Sequence, residues 1–233
     1  MTTRALAQSV AVAFGDRKTE ALIEIIRKRV ERPICRLLVV GCGSGKEAAV
    51  LAAGLGAQAI GIDLQDAFDP VAATTADLRR GDATCLEFPD HSFDLVFSYH
   101  VLEHIPDYPK ALAEMRRVLA ETGAYCIGTP NRGRLVGYLG SADATWRDKL
   151  IWNLADWKAR VRGRFRNEFG AHAGFTSFEL QAALARVFGT VEEVTVPYYC
   201  RVYSNYAAAT RLLARSGAGK LLFPSIYFVG HKL

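Results

Sequence analysis

Residues 36–48 read RLLVVGCGSGKEA, and the punctuation of this stretch decides the fold. The apolar run Arg36–Val40 is too short for a helix and ends in glycines, so it reads as a strand buried on both faces. Gly41, Gly43 and Gly45 make a tight turn, and Lys46–Leu55 follows as an Ala-rich helix stopped by Gly56. Strand, glycine loop and helix form the opening unit of an α/β sheet. Working outward, Thr19–Val30 carries Leu22, Ile25, Ile26 and Val30 at helical spacing, and Pro33 closes it. Ala59–Leu64 (AIGIDL) is a second strand, Leu78–Asp82 a weak third and Phe93–Tyr99 (FDLVFSY) a fourth. Pro109–Ala120 is a helix, Ala124–Thr129 a fifth strand, Phe178–Val187 a helix, Val191–Pro197 a strand and Ile226–His231 the last strand. Strands alternating with helices imply a doubly wound, Rossmann-like, mostly parallel sheet with helices on both faces. No strong helix is legible between the last two strands, which predicts that one of them runs antiparallel.

The chain has 233 residues, half of them hydrophobic and 23% charged, with a formal charge of +5. That length suits a single domain over 1–233, with an N-terminal helical segment at 1–34. The charge is a mild excess, short of the basic runs that mark nucleic-acid binding, so no nucleic-acid partner is expected. Cys35, Cys42, Cys85, Cys126 and Cys200 are odd in number and show no C-x-x-C spacing. They predict a reducing, cytoplasmic setting without disulfides or a zinc cluster. The first residues lack the apolar core of a signal peptide, and no apolar run is long enough to span a membrane.

One stretch breaks the rhythm. Residues 130–176 lie between the fifth strand and the next helix and carry Trp146, Trp152 and Trp157, then the basic run KARVRGRFRNEF. So long an excursion from a compact fold predicts a lid or a binding element.

The glycine loop lets a ligand approach its amides and the helix N-terminus beyond them. Asp63 ends the second strand 22 residues after Gly41. An acid there accepts hydrogen bonds from the ribose hydroxyls of an adenosine, and Asp82 is a second acid at a strand's carboxyl end. An ATP loop calls for Ser or Thr after Gly-Lys, where this chain has Glu47; a dinucleotide loop calls for G-x-G-x-x-G, where this chain has G-x-G-x-G. The loop alone leaves both rivals open. After the fourth strand come His100, Glu103 and His104. If the chain turns helically there, they share one face and would hold a metal, move a proton or satisfy one another.

In order and spacing, VVGCGSG, AIGIDL, GDATCLEFPDHSFDLVFS, VLEHIPD and EMRRVLAETGAYCIGTPN resemble the class I S-adenosylmethionine-dependent methyltransferases, most closely the ubiquinone-type O-methyltransferase branch. The resemblance covers 36–132, and more faintly 170–189. It implies a seven-stranded sheet with a reversed last strand. It also implies roles: Gly41, Gly43 and Gly45 against the methionine part of the cofactor, Asp63 on the ribose, Leu64 beside the adenine, Asp82 and Ala83 at the adenine edge, and Ser98 facing the methionyl group. Relatives often carry an acid where this chain has Val39. Glu47 is the candidate to replace its contact to the cofactor's amino group.

Methyl transfer from a sulfonium is an in-line displacement with a neutral leaving group, so alignment supplies much of the rate. A hydroxyl acceptor must also lose a proton, which calls for a base with a pKa near working pH or for a metal. His104, His100 and the more distant His172 are the candidate bases. In the ubiquinone-type branch a comparable trio holds a divalent cation such as Mg²⁺; here that trio would be His100, Glu103 and His104, with His100 shifting preference toward softer ions. The expected reaction is O-methylation of a small molecule or of a saccharide, by a monomer or homodimer. N- or C-methylation, or a non-catalytic cofactor- or RNA-binding module, are the alternatives.

Overall fold

The computed structural model describes residues 14–15, 17–138, 144–169 and 172–233. The remainder of the predicted N-terminal segment lies outside these residues. Seven strands form one sheet in the order β3-β2-β1-β4-β5-β7-β6: β1 (Arg36–Val40), β2 (Gln58–Asp63), β3 (Ala76–Arg80), β4 (Phe93–Tyr99), β5 (Leu119–Pro130), β6 (Glu192–Glu193) and β7 (Ser225–His231). The pairs from β3 to β5 are parallel, and β7 runs antiparallel to both β5 and β6. The expected reversal of one late strand therefore falls on β7.

Two core layers sandwich the sheet, and each strand feeds them alternately, as a pleated strand must. Leu37, Val39, Leu95, Phe97, Tyr227 and Val229 point to one layer. The residues between them, Leu38, Val40, Val96, Ile226 and Phe228, point to the other. Helix α1 (Arg17–Arg29) and helix α2 (Lys46–Leu55) cover the first layer. Helix α3 (Tyr108–Val118) covers the second with Ala111, Leu112 and Met115. Asp107 caps α3 by accepting from the Lys110 amide, and Pro109 sits in the first turn, where its missing N–H costs nothing.

The excursion after β5 carries α4 (Trp146–Val161), and α5 (Ser177–Phe188) follows it. Both begin with a reciprocal capping box, Thr145 with Asp148 and Thr176 with Glu179.

Two sequence expectations are corrected. The third strand ends at Arg80, so Asp82 lies in the loop beyond it, bridged to Cys85. Of the strand expected over Val191–Pro197, only Glu192–Glu193 pairs, and Thr195 opens helix α6 (Thr195–Val202). The β-branched TVP run looks strand-forming, but the Thr195 hydroxyl accepts from the Tyr227 amide at 3.0 Å, and Pro197 is harmless in a first turn. Helix α7 (Ala207–Arg215) and the short α8 (Gly219–Leu222) then complete the connection to β7 that the sequence left blank.

Candidate functional site

Two cavities open at the carboxyl edge of the sheet, where open α/β folds bind ligands. The first, of about 420 Å³, is lined by Gly41, Gly43, Asp63, Leu64, Asp82 and Ala83, among others. Gly41 has φ +71°, and a Cβ there would meet the Val101 side chain at 2.1 Å, so only glycine fits. At Gly43 a Cβ would meet nothing within 4 Å, which leaves the backbone open to a ligand. Asp63 accepts from the Gly43 amide at 2.8 Å and from the Gln65 amide at 3.0 Å, so its carboxylate is aimed before any ligand arrives. Asp82 accepts from both the amide and the hydroxyl of Thr84, and these bonds hold its carboxyl below the usual range. Leu64 is exposed along the wall, leaving an apolar surface open to the cavity. Gly45 packs on Leu78 behind the loop. Ser98 is buried with its hydroxyl unpartnered. Glu47 is half-buried, and its charge adds to the burial that raises the Tyr99 phenol's pKa.

The second cavity, of about 310 Å³, is walled by Tyr99, Tyr138, Tyr198, Tyr199, Tyr203 and Tyr227. Tyr199 stacks on Phe223 with ring centroids 4.6 Å apart, and Tyr99 on Tyr227 at 5.4 Å. His100 lines both cavities. Its φ is +56°, and its amide donates to the Gly128 carbonyl, which turns the imidazole away from the strand end.

The helical face expected of His100, Glu103 and His104 is not formed. Only Leu102–His104 turn, as a single 3₁₀ turn before Pro106, and His100 stands outside it. His104 is mostly exposed on the cofactor-cavity side, 3.9 Å from Glu103. The third partner is His172. Its Nε2 lies 3.4 Å from Glu103 Oε1 and 3.4 Å from His100 Nδ1, while His100 Nε2 is 3.0 Å from Ser225 Oγ. His100, Glu103 and His172 offer three ligand atoms within 4.8 Å of one another.

His172 arrives from the excursion, and two devices hold it. Gly174, at φ +74°, passes so close to Pro130 that a Cβ would lie 1.8 Å from its carbonyl oxygen. Arg134, buried to 3% exposure, donates to the His172 carbonyl at 2.9 Å and to Ala173, and pairs with Asp156 of α4. Arg160, drawn from the basic run, turns inward to donate to the carbonyls of Arg132 and Arg134.

Burial dominates the cluster's electrostatics. Both oxygens of Glu103 are buried without a hydrogen-bond partner, and desolvation pushes its carboxyl up to about 7. Desolvation, with the neighbouring His172, lowers His100 to about 3; desolvation, with His104 and Arg134, lowers His172 to about 4. The signs oppose. The folded chain holds the Glu103 proton more tightly than the unfolded chain, so this group costs stability as pH rises from about 4.5 to about 7. The two imidazoles resist protonation, so they cost stability as pH falls below 6.5. Stability should peak near neutrality. Glu103→Gln should gain roughly 3 kcal/mol on its parent between acid and pH 8 in urea unfolding, because the amide never ionises.

Of the residues the sequence singled out, Gly41, Gly43, Asp63, Leu64, Asp82 and Ala83 line the first cavity, and Ser225, Tyr227 and Arg134, which line the second, were not among them. Ser225 and Tyr227 sit in an apolar run that reads as core, and Arg134 lies in a loop without a motif.

A glycine loop, an acid at the end of β2, a second in the loop after β3 and a second cavity meeting the first at one side chain are the parts of a group-transferring, nucleoside-binding α/β protein. A family model described as "Methyltransferase domain" matches residues 38–127. The malonyl-[acyl-carrier protein] O-methyltransferase of Geobacter sulfurreducens is 30% identical over 216 residues, covering 83% of this chain and 74% of the relative. A probable S-adenosylmethionine-dependent methyltransferase of Mycolicibacterium smegmatis is 37% identical over 101 residues, 41% of this chain. Matches to this and two further curated relatives span only 31% to 42% of those relatives' own lengths. The solved structure of the plantazolicin methyltransferase BpumL in complex with SAH shares the fold, with a TM-score of 0.62 at 15% identity over 99% of this chain and 95% of that one. The chain belongs to the S-adenosylmethionine-dependent methyltransferases.

Proposed function

We propose that this chain transfers the methyl group of S-adenosylmethionine to a hydroxyl oxygen of a ring-bearing small molecule, a saccharide included. The observation that carries this reading is His100, the side chain shared by the two cavities. The adenosine would occupy the Asp63 side, with its ribose on the carboxylate that Gly43 and Gln65 already orient. The acceptor would lie among the tyrosines, whose faces suit a planar or sugar ring. The sulfonium methyl would then lie near the junction, and alignment there would supply much of the rate.

The acceptor's proton has a route. His100 Nε2, which faces Ser225 and the tyrosine cavity, would take the acceptor's proton as the Nδ1 proton passes to His172 Nε2, and His172 Nε2 would then release that proton to the Glu103 carboxylate. Burial makes both imidazoles weak bases, so they would pass the proton on to Glu103 rather than hold it. Glu103, with its pKa near 7, is matched to take the proton at working pH. Turnover at saturating cofactor should therefore rise with pH to half-maximum near 7, and Glu103→Gln should remove that limb. A profile that Glu103→Gln leaves unchanged defeats this route.

The unpartnered Glu103 carboxylate also favours a second reading, in which a divalent cation supplies the acidifying charge. Its holders would be His100, Glu103 and His172 rather than His100, Glu103 and His104. Two imidazoles and one carboxylate suit Zn²⁺ or Fe²⁺ better than the Mg²⁺ expected from the branch. Full activity after chelation decides for the proton route, and activity restored only by added metal decides for the cation. A screen of hydroxyl, amine and carbon acceptors for methyl transfer tests the O-directed assignment, and exclusive amine methylation would replace it.

A further inference from the structure

The outer face of α4 is apolar where a surface helix should be polar. Trp146, Leu150, Leu154, Trp157 and Val161 recur at helical spacing and are all exposed, Trp146 to 70% and Val161 to 91%; Ile151 beside them is exposed to 61%. The patch continues beyond the helix. Trp157 Nε1 donates to the carbonyl of the exposed Leu135, and the Leu135 amide donates to Leu221. From there exposed leucines run through Leu222 to Leu212 on α7.

Charge around the patch is one-sided. Lys158, Arg162, Arg164 and Arg166 are exposed at the end of α4, and Arg211, Arg215 and Lys220 flank the leucines of 207–222, a stretch without an acid. The acids of α4 are committed elsewhere, Asp148 to the helix cap and Asp156 to Arg134. Exposed indoles and aliphatic side chains rimmed by lysine and arginine are the composition of an element that lies in a membrane interface. No helix among the described residues is long and apolar enough to cross a membrane.

We infer that this face docks the protein on an anionic phospholipid surface, with α4 lying in the headgroup plane and 207–222 beside it. Docking goes beyond methyl transfer and does not depend on it. One consequence does rest on the proposed acceptor cavity. Tyr138, which lines that cavity, packs edge-on against Trp152 of α4 at 5.2 Å, so the docked protein would take its acceptor from the lipid side.

The test is co-sedimentation with vesicles of phosphatidylcholine alone and with about 30 mol% phosphatidylglycerol. The full chain should bind the anionic vesicles and leave the neutral ones largely unbound, with binding weakened by salt. Ile151→Ser with Leu154→Ser, and separately Arg162→Glu with Arg164→Glu, should each weaken binding by roughly tenfold or more. All four positions are exposed, so both variants should keep the parent's circular dichroism and S-adenosylmethionine affinity. Three results would overturn docking: no binding to anionic vesicles, equal binding by parent and variants, or a dimer of the parent in solution that these substitutions dissolve without affecting vesicles. The last would make the face a contact between copies of this chain.

Discussion

His100→Asn should lower turnover by about 10²- to 10⁴-fold while leaving the affinity for S-adenosylmethionine nearly unchanged. Asparagine is the informative replacement because it tolerates the left-handed backbone that His100 adopts at φ +56°. Alanine would add a conformational cost to the chemical one. The loss is large because His100 joins the two cavities and begins the proposed proton route from the tyrosine cavity toward Glu103. His172→Asn should cut turnover in the same direction and by less, since His172 stands one step farther from the acceptor. The measurement is single-turnover methyl transfer at saturating cofactor, with the cofactor Kd taken separately by calorimetry. A fall in affinity with unchanged single-turnover rate would move His100 from the chemistry to the cofactor wall.

The second large effect belongs to Asp63. Its carboxylate is held by the Gly43 and Gln65 amides at the end of β2, facing the first cavity. Hydrogen bonds from two ribose hydroxyls to an ion contribute about 1.5–3 kcal/mol each, so Asp63→Ala should raise the cofactor Kd by about 100-fold or more. Stability should fall by only about 1 kcal/mol, because the freed amides are exposed enough for water to replace the carboxylate. Asp82→Ala should cost less affinity, since the flat base it would border should gain most of its binding from contact with apolar surfaces such as Leu64. An Asp63→Ala protein that binds S-adenosylmethionine like its parent would displace the ribose from this position.

The contrast between the two predictions matches what the sequence could reveal. Asp63 was legible because everything that positions it is local: a short apolar strand, a loop of three glycines and an acid at the next strand end. The doubly wound sheet was legible for the same reason, since strands buried on both faces leave continuous apolar runs. The acceptor side was legible only in pieces. His100, Glu103 and His172 all stood out as candidates, but the spacing of 100, 103 and 104 suggested a helical face that Pro106 and the left-handed turn at His100 forbid. His172 joins the cluster across 69 residues of chain from Glu103, through the Gly174 crossing and the buried Arg134, and no local pattern encodes either contact. Ser225 and Tyr227 face the cavity from a strand that otherwise packs as core, and TVPYYC reads as a strand until the Thr195 bond to Tyr227 is seen. Local order in this chain builds the wall of the first cavity, and long-range packing builds the second and the cluster between them.

The meeting point is the central claim, and it can be observed without knowing the acceptor. S-Adenosylmethionine labelled with ¹³C at its sulfonium methyl, bound to the protein, should give nuclear Overhauser contacts from that methyl to the ring protons of His100, the side chain common to both cavities. Absence of binding at millimolar cofactor, or a bound methyl whose contacts lie away from His100, would contradict the account.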